Sequence, residues 1–301
     1  MRVFVTGATG FIGSRVVREL LDAGHQVLGL TRSEQGAAAL AAMGAEPYRG
    51  SIAEPDGLKA GAAESDGVIH LAFNHDFSRF VQNCEDDRAV IAALGSALAG
   101  SDRPLIITSG TGATNTVPGQ PALEDGQTVS ASVIPRAASE EAAAAAADRG
   151  VSVSVMRLPQ VHDTRRQGLI SPLIGIGREK GVLAYVGEGQ NRWPAAHVLD
   201  VARLYRLALE KAAPNAKYHA VAEEGVPMRA IAETIGRRLE LPAASITPEE
   251  APAYFGWLAA FATRDLPASS AQTRARLGWE PTGPGLLADL EKLELPDLAT
   301  A

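Results

Sequence analysis

Through the first half of the chain, short apolar runs alternate with longer stretches whose apolar positions recur at helical spacing. Val3-Phe4-Val5, Val27-Leu28-Gly29-Leu30, Val68-Ile69-His70-Leu71-Ala72, Pro104-Leu105-Ile106-Ile107-Thr108-Ser109 and residues 151–157 read as strands, with a shorter one over residues 46–50. Residues 14–21, an alanine-rich stretch at 34–43, Val90-Ile91 through Leu98 and residues 135–149 read as the helices between them. Such alternation predicts βαβ units and a parallel, doubly wound sheet. Residues 113–131 are rich in Gly, Pro, Thr and Ser and read as a long loop. The second half is mostly helical, near 168–180, 200–211, 228–240, 249–262 and 283–293, with brief strands near 183–186 and 217–221. Thr247-Pro248-Glu249-Glu250 carries a helix-start pattern of capping hydroxyl, early proline and acids.

The first strand ends in Gly7, Gly10 and Gly13, and a helix begins at once. Glycine accepts positive φ and lets backbone approach a ligand closely. Amides at a helix N-terminus favour a diphosphate. The strand–glycine–helix context therefore predicts dinucleotide binding, with Gly7, Thr9, Gly10, Phe11, Ile12 and Gly13 around the diphosphate. The fold expected is α/β of Rossmann type. Residues 1–160 form the nucleotide-binding domain, segments near 195–222 return to it, and residues 161–301 form a smaller, mostly helical substrate domain. Where an NAD-binding unit carries an acid after its second strand, this chain has Thr31-Arg32-Ser33. An acid repels a 2′-phosphate and a guanidinium pairs with it. NADP(H) is the coenzyme predicted, with Arg32 and Ser33 at the 2′-phosphate.

Composition narrows the class. The 301 residues carry 46% hydrophobic and 21% charged residues and a net charge of −7, which leaves no electrostatic footprint for nucleic acid or an anionic membrane surface. A lone cysteine, Cys84, excludes an internal disulfide and suits a reducing compartment. No Cys/His spacing resembles a zinc site, no apolar run reaches spanning length, and the first strand begins at residue 2. A cytoplasmic protein acting on a small molecule, without metal, is expected.

Four landmarks in order carry a resemblance that covers nearly the whole chain: the Thr6–Gly13 loop, Val68–Ala72, His197-Val198-Leu199-Asp200-Val201-Ala202 and Leu277-Gly278-Trp279-Glu280-Pro281. Together they resemble the extended short-chain dehydrogenase/reductase superfamily, the NAD(P)-dependent epimerase/dehydratase group. The resemblance implies Leu71, Ala72 and Arg136 beside the ribose and nicotinamide, and it makes a homodimer possible. The family normally uses a tyrosine and, four residues later, a lysine. Aligned on Glu140, those positions hold Ser132 and Arg136. No tyrosine lies between Tyr48 and Tyr185 and no lysine between Lys59 and Lys180, so the usual proton relay cannot be assembled.

A serine hydroxyl titrates too high to replace the phenol, and arginine does not release its proton. Replacements are sought just after the strands, where an open parallel sheet binds ligands: Asn74, His75 and Asp76, then Ser109 and Thr111, then His162 and Asp163. His75 beside Asp76 suits a tuned acid, since imidazole titrates near neutrality. The catalytic set expected is Ser109, Arg136 and His75. Trp193 is read as either pocket wall or core, Asp200 as a helix cap, and His197 as packed between domains. The function expected is an atypical NADP(H)-dependent oxidoreductase acting on a small carbonyl or alcohol. Its rivals are a non-enzymatic NADP(H)-binding sensor or, less favoured, a sugar-nucleotide epimerase or dehydratase.

Overall fold

The computed structural model describes residues 1–114 and 117–294. Residues 115–116 of the expected loop and 295–301 of the expected second domain lie outside the described residues. Seven parallel strands form the main sheet: β1 (Arg2–Thr6), β2 (Gln26–Thr31), β3 (Glu46–Arg49), β4 (Gly67–His70), β5 (Leu105–Gly110), β6 (Val153–Leu158) and, after three strands elsewhere, β10 (Lys217–His219). Their spatial order is β3-β2-β1-β4-β5-β6-β10. The chain runs outward from β1 and then restarts at β4 on its other side, so the crevice opens where β1 and β4 end, at Thr6 paired with His70.

The strands read as continuous apolar runs because both faces are covered. Val3, Val5 and Ile106 pack against α1 (Phe11–Asp22) and, later in the chain, α7 (Val198–Lys211). Phe4, Leu105 and Ile107 face the opposite way, toward α3 (Lys59–Ala63), α4 (Phe80–Leu98) and α5 (Ala138–Ala147), while α2 (Glu34–Met43) links β2 to β3. A second core gathers Trp193, Phe255, Ile231 and Leu290. It is built on α6 (Ile170–Lys180), α8 (Met228–Leu239), α9 (Ala251–Phe255), α10 (Ala259–Ala262) and α12 (Leu286–Glu291). Two small sheets accompany it. β9 (Arg192–His197) lies between β7 (Gln160–His162) and β11 (Glu223–Pro227), and β8 (Leu183–Val186) pairs with β12 (Ala243–Ile246). Helix α11 (Ala271–Leu277) follows, and Trp279 packs in the core beside α7.

Several elements differ from the sequence expectation. Helix α4 begins at Phe80, ten residues before the Val90 segment, because buried Asn83 and Asp87 stand at inward positions and interrupt the apolar period. β7, β9, β11, β12 and α11 were not expected. The helix expected over 249–262 is broken at Gly256, where φ is +56°. The Thr247 start is a reciprocal cap: the Glu250 amide donates to Thr247 Oγ1 (3.3 Å) and the Thr247 amide to Glu250 Oε2 (2.8 Å). Among the described residues, no helix is long and apolar enough to cross a membrane.

Candidate active site

The glycine bend fills the mouth of the crevice. Gly7 has φ of +68°, and a Cβ there would lie 2.8 Å from the Ala72 amide nitrogen, so the segment after β4 and the bend touch only because a hydrogen sits there. A Cβ on Gly13 would lie 2.0 Å from the Gly7 carbonyl oxygen. Gly10 donates its amide to that carbonyl at 2.9 Å and opens α1. The amides of Phe11, Ile12 and Gly13 stand in the first turn, where no intrahelical acceptor exists. Thr9 is exposed on the bend, and Leu71 and Ala72 are half-buried beside it. This cradle fits the diphosphate of a nicotinamide dinucleotide.

Arg32 is exposed just beyond β2 and makes no ion pair among the described residues. Ser33 is committed to the fold: its Oγ accepts the Gly36 amide at 3.0 Å and caps α2, leaving its hydroxyl proton for a ligand.

Thr6, one residue before Gly7, begins a buried polar chain that sequence reasoning missed. Its Oγ1 accepts the amides of Leu71 (3.1 Å) and Ala72 (3.2 Å), which leaves its proton for His70 Nδ1 at 2.7 Å. His70 Nε2 therefore donates to Asp87 Oδ1 at 2.9 Å. The other Asp87 oxygen accepts Arg136 Nη1 at 2.9 Å and the Ser139 hydroxyl. Burial pushes the Asp87 carboxyl up, but Arg136, then His70 and Ser139, outweigh it and hold the pKa at about 2. Asp87 is an ionised counter-charge. The available signal was spacing: Asn83, Asp87, Val90 and Leu94 share one face of α4.

Arg136 sits in the short 3-10 turn over Pro135–Ala137, just before α5. Its Nη1 reaches Asp87 and Ser139, its Nη2 donates to the Thr108 carbonyl at 2.7 Å, and its Cζ lies 4.3 Å from the Phe73 ring centroid. Of five N–H donors, Nε–H and one on Nη2 remain. Ser109, at the end of β5, is buried; its Oγ makes no hydrogen bond of normal geometry among the described residues but lies close enough to the Glu140 carboxylate to favour its ionised form. Next to it Glu140 forms a two-pronged pair with the buried Arg157, both contacts at 2.8 Å. Ser132 is exposed and meets Ser130.

Other sequence candidates separate. Asp76 does not pair with His75: its carboxylate accepts the Ser78 amide and hydroxyl, capping the turn over Phe77–Arg79. His75 is exposed, with Nδ1 on the Phe73 carbonyl at 3.1 Å and Nε2 without a partner among the described residues. Desolvation by the rings packed around it lowers its pKa below 6.5, against the Phe73 bond and with help from nearby Arg136. Thr111 is buried. His162 is buried against Asp289 of α12 at 2.7 Å, and Asp163 accepts the amides of Arg165 and Arg166. Trp193 is fully buried core. Asp200 is no cap: it accepts the Thr282 and Gly283 amides and anchors the C-terminal segment, while His197 caps α7. Among the described residues no cluster of His, Cys, Asp or Glu suits a metal ion.

The sequence model of the NAD dependent epimerase/dehydratase family matches residues 3–222, which take in the seven strands of the main sheet but for Arg2. The chain belongs to this family. It is similar to an uncharacterised protein of Schizosaccharomyces pombe, 48% identical over 96% of this chain and 98% of that one. It is also similar to the 2-alkyl-3-oxoalkanoate reductase of Stenotrophomonas maltophilia, 30% identical over 76% of this chain and 73% of that one. Among solved structures, the dTDP-glucose 4,6-dehydratase DesIV of Streptomyces venezuelae, determined with NAD bound, shares the fold: TM-score 0.76, 18% identity, 97% and 96% of the two chains covered.

Proposed function

We propose that this protein is an NADP(H)-dependent oxidoreductase that interconverts a small organic carbonyl and its alcohol without the tyrosine–lysine pair. The observation that carries the reading is a glycine cradle at one strand end with a counter-charged arginine fixed at the next. The similarity to a 2-alkyl-3-oxoalkanoate reductase supports carbonyl chemistry. Arg32, with no internal ion pair among the described residues, supports the phosphorylated coenzyme.

A bound nicotinamide coenzyme supplies or accepts the hydride. The chain supplies position and proton. Gly7, Thr9, Gly10, Phe11, Ile12 and Gly13 hold the diphosphate, and Leu71 and Ala72 border the ribose. Arg136 directs its two remaining donors at a ribose hydroxyl or the carbonyl oxygen, and Asp87 keeps the guanidinium from turning. Ser109 turns its hydroxyl from the neighbouring Glu140 to the substrate oxygen. In reduction the carbonyl oxygen takes its proton from His75 Nε2, which solvent recharges. A pKa below 6.5 makes that proton easy to give but sparsely held at neutrality.

The test is oxidation of NADPH and NADH against a panel of ketones, enones and imines, with Arg32→Asp and His75→Gln variants. Expected are turnover with preference for NADPH, a preference lost in Arg32→Asp, and a rate that rises as pH falls toward the His75 value, flattened in His75→Gln. Tight coenzyme binding with no turnover anywhere on the panel overturns the enzyme reading in favour of a sensor.

A further inference from the structure

Between the loop after β4 and the helical lobe stands a run of aromatic rings. Phe77 lies face to face with Trp257, centroids 4.3 Å apart and planes at 12°. Phe80 stacks on Phe77 at 5.5 Å, and Phe261 meets Phe77 and Trp257 edge-on, each at 6.3 Å. Phe73 touches Phe80 edge-on at 6.3 Å and carries the Arg136 guanidinium on its face at 4.3 Å. The run is thus continuous from the proposed reaction centre to the surface.

These rings do not form an ordinary core. All four phenylalanines are only half-buried, and Trp257 is 45% exposed, whereas Trp193 and Trp279 are fully buried. They stand above the carboxyl edge of the sheet, where an α/β fold binds its ligand. Phe77 belongs to a three-residue turn, Phe77–Arg79, capped by the Asp76 side chain, and Phe80, Trp257 and Phe261 pack against its ring. Among the described residues, Arg136 is the cation seated over the face of one of these rings.

We infer that this run is the subsite for the substrate's side group and that it selects carbonyl compounds bearing a flat aromatic ring. The inference rests on the function proposed above. The incoming ring stacks on the exposed part of Trp257 beside Phe77, adding an aromatic contact there, and the carbonyl lies toward Arg136. A saturated ring of the same size buries similar area but lacks the π-face that such stacking uses. A polyol or sugar nucleotide would find rings where it needs hydrogen-bond partners.

Trp257 is the exposed tryptophan among three, so acrylamide quenching of the whole protein's fluorescence reads it selectively. Phenylacetone and cyclohexylacetone, identical except for aromaticity, are the probes, each with NADPH present. Phenylacetone is expected to reduce quenching about twofold and cyclohexylacetone to leave it unchanged. The ratio of kcat/KM between the two ketones is expected near tenfold, the worth of one good aromatic pair, and to fall toward unity in Trp257→Leu. Equal protection by both ketones, or by neither, overturns the inference. Reduction of both ketones with equal efficiency and equal protection removes the subsite and leaves the reductase standing. Protection by phenylacetone alone without any NADPH oxidation sustains the subsite and removes the reductase.

Discussion

At the residue scale, the informative feature is the half-buried Arg136 at the mouth of the crevice, because a guanidinium in that place needs a permanent partner. Asp87 is that partner, almost fully buried, and His70 and Ser139 satisfy what remains of its carboxylate. Removing one member of a buried pair leaves the other uncompensated. Asp87→Ala is therefore expected to lower stability by about 3–5 kcal/mol, read by urea denaturation. Asp87→Asn keeps the shape and loses less. The pH dependence has a fixed sign: a carboxyl at about 2 in the fold and 3.8 when free stabilises the protein fully above 3.8 and ceases to do so as pH falls toward 2. That share is about 2 kcal/mol at neutral pH, and the acid limb of stability should be shallower by that amount in Asp87→Asn. An unchanged limb would show that Asp87 titrates normally.

At the element scale, the glycine bend is held by two contacts that admit no side chain, at Gly7 and Gly13. Gly13→Ala drives a methyl into the Gly7 carbonyl, and α1 must shift. A loss of about 1–3 kcal/mol with loss of NADPH binding by calorimetry is expected. Gly24→Ala, where φ is +83° and nothing lies within 4 Å, carries only the left-handed backbone cost of about 1 kcal/mol and should keep binding intact. If both variants bind NADPH equally, the bend is not the diphosphate cradle. The bend was legible from sequence because strand, glycines and helix stand together within residues 3–21. The strands around it were legible because both their faces are buried. Thr6 and Asp87 were not, since a threonine in a strand and an acid on a helix look ordinary until the fold brings β1, β4 and α4 together. β9 was not either: Arg192-Trp193-Pro194-Ala195-Ala196-His197 has neither alternation nor a β-branched run.

At the scale of the whole molecule, β10 and the C-terminal segment close onto the main sheet through a second buried polar cluster behind Ser109. Arg157 holds Glu140 from α5, donates to the Glu124 carbonyl at 3.2 Å and faces His219 Nε2 at 3.2 Å. His219 donates its single ring proton, on Nδ1, to the Ser269 carbonyl at 2.8 Å, and Glu124 accepts both the amide and hydroxyl of Thr273 in α11. With Arg157 donating to Nε2, that nitrogen must keep its lone pair, and a second proton would set imidazolium against guanidinium. Burial first, and then Arg157, push the His219 pKa down to about 4, while Glu124 and Glu140 pull it partly back. The folded state thus binds fewer protons than the unfolded chain between 6.5 and about 4, and stability must fall as pH drops through that interval. The loss is on the order of 3 kcal/mol. It should appear as a melting temperature that declines below pH 6.5 and levels off near the folded value, with α11 and β10 the first segments to lose hydrogen-exchange protection. His219→Gln has no proton to gain there, so its melting temperature should be lower at neutral pH and flatter across the interval. A wild-type slope retained in that variant would locate the acid sensitivity elsewhere, with buried His162 against Asp289 the next group to test.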